Sequence, residues 1–398
     1  MAGNDAILIV GGGLGGLTTA LALARRGRSS RVLEGAAEFG AIGYGVQFGP
    51  NVFHVFDRLG LMDQVLAVAD SPAAVLMLDA LDGRELVRIP TGATFRARFK
   101  YPYIVVHRID VHNVLLDACR RNDAIELIAD AMVTGYEDGG DGVAVATADG
   151  RVFSGAALIA ADGVRSLFRE RLIGDRERPI GYVALRTIVP ISQLKADVPR
   201  DCVVLWSGPG CHIVHYPLRH GTEFNIVTVF RTAAHAEKAD AASYRAELER
   251  AYRGLHPAMQ ALIAMMDLRW RRSIGDRAPV RHWHKGRVIL LGDAAHAPLQ
   301  SLAQGAGMAI EDGLCLAEAI AAADGDFAAA FGRFESARCL RTARVQLESR
   351  ALWDFYHLDQ GIERDVRNAT VAGWDEAHLF ACLAWLYDGA PAAPGGRA

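Results

Sequence analysis

The chain has 398 residues, 51% of them apolar, with 43 Lys and Arg against 46 Asp and Glu for a net charge of −3. This length and composition suit one large or two fused globular domains with sizeable cores, and the near-neutral balance excludes the basic footprint of a nucleic-acid binder. No apolar run reaches membrane-spanning length, the start Met-Ala-Gly-Asn-Asp lacks the features of a signal peptide, and six cysteines lie scattered without CxxC pairs, so a cytoplasmic protein with reduced thiols is expected.

The first element is the apolar run Asp5 to Val10, too short for a helix and ended by glycines, which predicts a buried parallel strand. Gly11, Gly13 and Gly16 follow in the spacing GxGxxG. A helix is then expected over Leu17 to Arg26, closed by Gly27, and a second strand at Val32 and Leu33 ends in Glu34, eighteen residues beyond Gly16. Gly11 allows the tight turn, Gly13 lets backbone N–H groups approach a pyrophosphate, and Gly16 lets helix and strand pack closely. Glu34 is placed to accept the hydroxyls of an adenosine ribose. Placed between strand and helix with an acid at the next strand end, the pattern is a specific dinucleotide signature.

Residues 39–51, FGAIGYGVQFGPN, are expected to form an irregular loop able to lie against a flat ligand. Val52 to Leu66 has helical spacing, and Val75 to Ile89 reads as a hairpin turning at Asp82-Gly83. Tyr103 to Val106 reads as a strand leading into a helix, with Arg108 at the junction. Arg108 either binds a phosphate or flavin edge or merely caps the helix and pairs with Asp110. A hairpin is expected about Asp149-Gly150. The apolar strand Leu158 to Ala161 runs into Asp162-Gly163, with Ser166 and Arg169 beyond.

From Tyr182 to Phe230 four β-rich runs predict an inserted antiparallel sheet. Within HIVHYPL, alternation puts His212, Val214 and Tyr216 on one face and Ile213 and His215 on the other. Ala241 to Met266 reads as helical, and Arg269 to Arg272 as a solvated face. A strand at Val288 to Leu291 precedes Gly292-Asp293, then Gln300, and Gly305 opens a helix through Ile320. A helix over Phe327 to His357 follows, and the tail from Ala390 has a disordered composition. Asp293 taken alone is also a plausible helix N-cap. The fold class is therefore α/β: a Rossmann-like GxGxxG unit with an inserted antiparallel β-sheet and C-terminal helices. The expected division is 1–180 and 276–360 for the dinucleotide-binding part, 181–275 for the sheet, and 361–398 for a C-terminal helical segment and flexible tail.

Three motifs in this order resemble the class A single-component flavin monooxygenases, the flavoprotein aromatic hydroxylases. The GxGxxG-to-Glu34 unit resembles their site for the ADP half of FAD, Asp162-Gly163 resembles their DG motif, and Gly292-Asp293 resembles their GD motif, whose aspartate holds the ribitol chain. The resemblance implies that Arg108 and the Gln47 segment also meet the flavin nucleotide. It further implies that the helix opening at Gly305 aims its positive end at the flavin pyrimidine. FAD would accept hydride from NADH (or NADPH) and transfer one atom of O2 to a small aromatic acid.

Cys211-His212-Ile-Val-His-Tyr216-Pro217-Leu and His296-Ala-Pro298-Leu-Gln300 resemble the 3-hydroxybenzoate 6-hydroxylase subfamily. By that resemblance His212 draws the phenol proton, Tyr216 orients the substrate and Gln300 binds near its oxygen. The plainer readings, a strand histidine meeting a carbonyl and a core tyrosine, stand beside these roles. Ala297 replaces a proline common after the motif histidine, and bulky Tyr44 sits in the flavin loop. The implied reaction gives 2,5-dihydroxybenzoate (gentisate), in a homodimer. Salicylate 1-hydroxylation to catechol, a catalytically inert flavin-binding protein and an epoxidase on a larger substrate are the rival expectations.

Overall fold

The structure, a computed structural model, describes residues 5–40, 43–232 and 241–388. Its first strand, Ile7–Val10, is buried throughout, as an unbroken aliphatic run requires where both faces of a sheet are covered. It lies between Ser30–Leu33 and Ala157–Ala160, parallel to both. Ile125–Ile128 and Val288–Leu290 extend the sheet on the two sides, and the short edge strand His284–Lys285 runs antiparallel. The register is flush: Val10 pairs with Leu33 and with Ala160, and Ala160 pairs with Leu290. Four chain segments therefore leave the sheet at one edge, carrying Gly11, Glu34, Asp162 and Gly292-Asp293 to the same place.

The helix after the first strand spans Leu14–Ala24, beginning earlier than the expected Leu17 because Gly13 caps it and Gly15 and Gly16 lie in its first turn. It packs on Gly305–Ala321 through small residues. A Cβ on Gly15 would lie 3.1 Å from that of Ala309, and one on Gly313 would lie 2.9 Å from Thr19 Oγ1, so bulk here would push the helices apart.

The second sheet has seven strands in the order Arg271–Asp276, Arg178–Pro190, Glu223–Arg231, Cys211–Leu218, Val203–Gly208, Ala74–Asp79 and Glu85–Pro90. The hairpin expected near Asp82-Gly83 forms, but it pairs parallel with Val203–Gly208. Residues 74–90 thus belong to this sheet and not to the dinucleotide-binding part in which 1–180 placed them. Arg271 and Arg272, expected on a solvated face, stand at its other edge, paired with Leu185 and Ala184. Helices Ala241–Ala251 and Pro257–Ala264, separated where one was expected, cover one face with Tyr244, Leu248, Met259 and Leu262 against Val204, Ile213 and Ile226.

Residues 45–48, expected to be irregular, form a strand antiparallel to Ile104–His107, because that partner supplies ladder bonds that local sequence does not reveal. The Val52 to Leu66 helix is two, Pro50–Leu59 and Met62–Leu66, divided by Gly60 in the left-handed region. The hairpin about Asp149-Gly150 joins Val133–Asp138 in a three-stranded antiparallel layer. Phe327–Tyr356, Ile362–Val371 and Glu376–Tyr387 complete the fold. The tail from Ala390 lies outside the described residues.

Candidate active site

Gly11 makes the first turn at a φ of +110°, and a Cβ there would strike the Ala161 carbonyl at 2.3 Å. A Cβ on Gly16 would lie 2.0 Å from the Gly11 oxygen, while around Gly13 a Cβ would meet nothing within 4 Å. The turn is therefore closed toward the sheet and open outward, as backbone approach to a pyrophosphate demands. Glu34 accepts from the N–H of Gly12 (2.8 Å) and of Ala36 (2.9 Å). Each carboxylate oxygen keeps a lone pair for a ribose hydroxyl. His112, which sequence reasoning missed, fixes the Gly12 peptide through an Nε2–O contact of 2.8 Å.

Asp162 Oδ2 accepts from Leu167 N (2.9 Å), while Oδ1 is buried with no protein partner, and burial raises its pKa. Gly163 takes a φ of +79° in that turn. Ser166 caps the helix that follows by accepting from Arg169 N. Fully buried Arg169 grips Asp175 with two 2.6 Å bonds and donates to the carbonyls of Ala294 and Ala295. One guanidinium thus ties the Asp162 turn to the Asp293 turn.

Asp293 is the first residue of the short helix Asp293–His296, and Gly292, at a φ of +63°, makes no side-chain cap. The N-cap alternative for Asp293 falls: Asp293 Oδ1 lies 3.5 Å from where a Cβ on Gly305 would be, facing the uncapped start of Gly305–Ala321. Arg108 N donates to Tyr44 O, and burial lowers the pKa of the Arg108 guanidinium, a shift that the nearby Asp293 charge only partly opposes. Asp110 pairs bidentately with Arg219 at 3.0 Å, so the pairing alternative for Arg108 falls as well.

Behind this turn lies a buried ionic lattice. Asp312 accepts from Gly292 N (3.0 Å), meets His296 Nε2 (2.6 Å) and pairs with Arg338 Nε (2.6 Å). Arg338 also pairs with Glu311, which holds Arg341 and Asn51. Burial raises the Asp312 pKa, but His296 and Arg338 together hold it down at about 2. Ala297 O accepts from Arg277 N (3.1 Å) and Gln346 Nε2, so this carbonyl is engaged by the protein itself.

Facing these turns, one side of the seven-stranded sheet presents the expected set. The register pairs Ser207 with His212, His212 with Val229, and Val229 with Ala184, and likewise Tyr216 with Asn225 and Asn225 with Ile188. His212, Val214 and Tyr216 therefore share a face, and His215 takes the other, where Trp206 Nε1 donates to it at 3.1 Å. His212 stacks on His357 with Nδ1 2.7 Å from its Nε2, beside Trp353 and Tyr356. Burial and His357 lower the His212 pKa well below the usual imidazole value, so the ring is neutral. Among the described residues Nε2 of His212 makes no hydrogen bond, and it is the ring atom left for a ligand.

Tyr216 packs closely on Gly45, where a Cβ would come within 2.4 Å of the ring. Burial pushes its pKa up to about 12 despite Arg186 and a hydrogen bond with Gln47. Gln47 also accepts from Tyr103 OH, so its side chain serves the pocket wall as well as the flavin loop. Gly45 N donates to Asn225 Oδ1 (3.1 Å), which joins that loop to the sheet. Gln300 Oε1 accepts from Arg186 Nη2 at 3.1 Å. The three expected substrate residues do not touch each other directly. Tyr356 bridges His212 to the Gln300 turn by donating to Ser301 O, and Arg186 bridges Gln300 toward Tyr216. Arg186, His357 and Tyr356 were missed; the legible signal was an arginine inside the apolar strand Tyr-Val-Ala-Leu-Arg186-Thr-Ile-Val.

Two turns with an open anion face, an unpartnered buried carboxylate oxygen and an uncapped helix start opposite an uncommitted aspartate fit FAD. The FAD binding domain family matches residues 5–330. The chain is 41% identical over 381 residues to 3-hydroxybenzoate 6-hydroxylase of Polaromonas naphthalenivorans (strain CJ2), covering 96% of this chain and 95% of that one. It is 39% identical to 3-hydroxybenzoate 6-hydroxylase of Klebsiella oxytoca, over 96% of each. Klebsiella pneumoniae HpxO complexed with FAD and uric acid superposes with a TM-score of 0.85 at 27% identity, covering 97% of this chain and 98% of that one. The chain belongs to the class A flavoprotein hydroxylases. It is an enzyme with FAD as its cofactor and an aromatic substrate and O2 as reactants.

Proposed function

We propose that the protein hydroxylates 3-hydroxybenzoate at the position para to its hydroxyl, consuming NADH and O2 and giving 2,5-dihydroxybenzoate. The observation that carries this reading is the single sheet face on which a neutral buried imidazole, a phenol and a guanidinium–amide pair converge opposite the flavin turns. Relatives named 3-hydroxybenzoate 6-hydroxylase at 36–41% identity support it.

Bound FAD supplies hydride acceptance from the nicotinamide and transfer of one oxygen atom to the ring. Gly11, Gly13, Gly16 and Glu34 hold its adenosine diphosphate, Arg108, Asp162 and Gly163 its middle, and Gly292, Asp293 and the helix start at Gly305 its ribityl and pyrimidine end. The chain's own chemistry is to make the substrate ring electron-rich. His212 Nε2 accepts a hydrogen bond from the phenol O–H and draws its proton in the transition state, while burial disfavours a free-standing imidazolium. The Nδ1 contact to His357 holds the imidazole in place, and general-base help of this kind contributes ~10²–10⁴ in rate. Tyr216 donates to the substrate oxygen. Gln300, its carbonyl oxygen engaged by Arg186, presents its NH2. A cytoplasmic homodimer completes the proposal; six unpaired cysteines accord with the compartment.

Rates of NADH oxidation and O2 uptake over a panel of hydroxybenzoates, with products identified, test the reading. Coupled turnover of 3-hydroxybenzoate to 2,5-dihydroxybenzoate is expected. Catechol and CO2 from 2-hydroxybenzoate as the preferred reaction would overturn it.

A further inference from the structure

Among the described residues the ring of His212 makes one hydrogen bond, and it goes to a second buried imidazole: Nδ1 lies 2.7 Å from His357 Nε2. So short a contact between two ring nitrogens needs one proton and one lone pair, and which ring owns the proton decides what His212 can do. If a neutral His212 carries it on Nδ1, its Nε2 is bare and can take a proton from a phenol. If His357 Nε2 carries it, the proton of His212 sits on Nε2, which can then only donate. The far side of His357 decides between these. That residue follows the helix Phe327–Tyr356, and its backbone N–H bonds to Asp354 O at 3.1 Å, which leaves the Trp353 carbonyl without its usual partner four residues on. His357 Nδ1 is buried and has no other hydrogen-bond partner among the described residues, and the backbone group that acts on the ring is that Trp353 carbonyl.

A carbonyl oxygen accepts and never donates, so the ring nitrogen turned to it is an N–H. A bare nitrogen there would set lone pair against lone pair at the negative end of a 30-residue helix. Burial and the Arg231 charge outweigh the Trp353 carbonyl and push the His357 pKa down to about 4, and burial holds His212 well below the usual imidazole value, so each ring carries a single proton. With that proton on Nδ1 of His357, its Nε2 is a lone pair, His212 Nδ1–H donates to it, and His212 Nε2 is left bare. We propose that His357 is a positioning residue which, oriented by the free carbonyl of Trp353, fixes His212 as the Nδ1–H tautomer and so makes it a proton acceptor toward the substrate phenol. The opposite tautomer would turn the same histidine into a donor. Tyr182 and Trp353 pack on the His357 ring, with centroids 4.9 Å and 4.7 Å away, and limit its rotation. The inference rests on the hydroxybenzoate reading above and adds what makes His212 a base.

The test reads the tautomer in purified holoenzyme labelled with ¹⁵N at histidine, where long-range ¹H–¹⁵N spectra show which nitrogen of each ring is protonated and His212→Gln and His357→Gln assign the signals. Without substrate at neutral pH, His212 should show a protonated Nδ1 and a bare Nε2. Turnover supplies the second arm. His357→Phe keeps a flat ring but offers no acceptor, and it should slow hydroxylation of 3-hydroxybenzoate at least ~10-fold, part of what a positioned base contributes, with FAD content and the KM for NADH within about threefold of wild type. His357→Gln, whose side-chain oxygen can accept from Nδ1–H, should recover most of that loss. A proton on Nε2 of His212 in wild type would overturn the inference. So would turnover by His357→Phe within about twofold of wild type, or His357→Gln as slow as His357→Phe while FAD is retained. A wild type that does not hydroxylate 3-hydroxybenzoate would overturn the proposed activity, while the substrate-free spectrum would still decide the tautomer.

Discussion

Replacing Arg338 with methionine is the sharpest perturbation of the lattice that holds the flavin turn. Arg338, Glu311 and Asp312 are all fully buried, with Arg338 bonded to both acids and to Met308 O. The substitution leaves two buried carboxylates against Arg341 and His296. Breaking a buried pair by removing one partner costs about 3–5 kcal/mol, mostly from the charge left unpaired. Unfolding entropy near 2.1 cal/mol/K per residue makes roughly 0.8 kcal/mol/K for this chain, so Tm should fall by about 4–6 °C. The loss should depend on pH. In wild type the depressed Asp312 pKa, about 2 against 3.8, contributes stability that is present above pH ~4 and lost as pH falls toward 2. In the variant, burial without the guanidinium raises the folded pKa values, so stability is instead lost as pH rises through them. The gap from wild type should therefore be wider at pH 8 than at pH 5. Because Asp312 holds Gly292 N, FAD release, followed by its fluorescence, should accompany the melt. A Tm within 1 °C of wild type at pH 8, with FAD equally retained, would refute the reasoning.

Three further outcomes are expected. His212→Ala should keep its FAD while hydroxylation slows by ~10²–10⁴ and NADH oxidation diverts to hydrogen peroxide; full coupled turnover would remove His212 from the chemistry. Asp293→Ala should weaken flavin retention on gel filtration without a comparable loss of Tm in the apoprotein, since the carboxylate caps no helix. Gly16→Ala places a methyl 2.0 Å from the Gly11 oxygen, so it should yield colourless or unstable protein; a yellow protein of wild-type Tm would contradict the close-packing argument.

What was legible in the sequence was local. The glycine turn, Glu34 and the Asp162 and Asp293 turns follow from backbone demands that a few adjacent residues express, and the flush register of the central strands explains their convergence. Period-two alternation likewise put His212 and Tyr216 on one face and His215 on the other, where Trp206 holds it. What was not legible depends on distant partners. The ladder that makes a strand of Gly45–Phe48 comes from Ile104–His107, and the hairpin Ala74–Pro90 enters the second sheet through a parallel pairing with Val203–Gly208. His357 reaches His212 from the end of a 30-residue helix, a contact spacing alone does not indicate. Arg186 offered a signal, a charge within an apolar strand, but its hydrogen-bond partner, the Gln300 amide, lies 114 residues away in the chain.

The most direct measurement is turnover of 3-hydroxybenzoate by the purified yellow protein with NADH under ¹⁸O2, followed by mass and NMR analysis of the product. The account predicts 2,5-dihydroxybenzoate carrying one ¹⁸O atom at the carbon para to the original hydroxyl, with one NADH consumed per product. NADH consumed without an oxygenated ring, or label at another ring carbon, would contradict it.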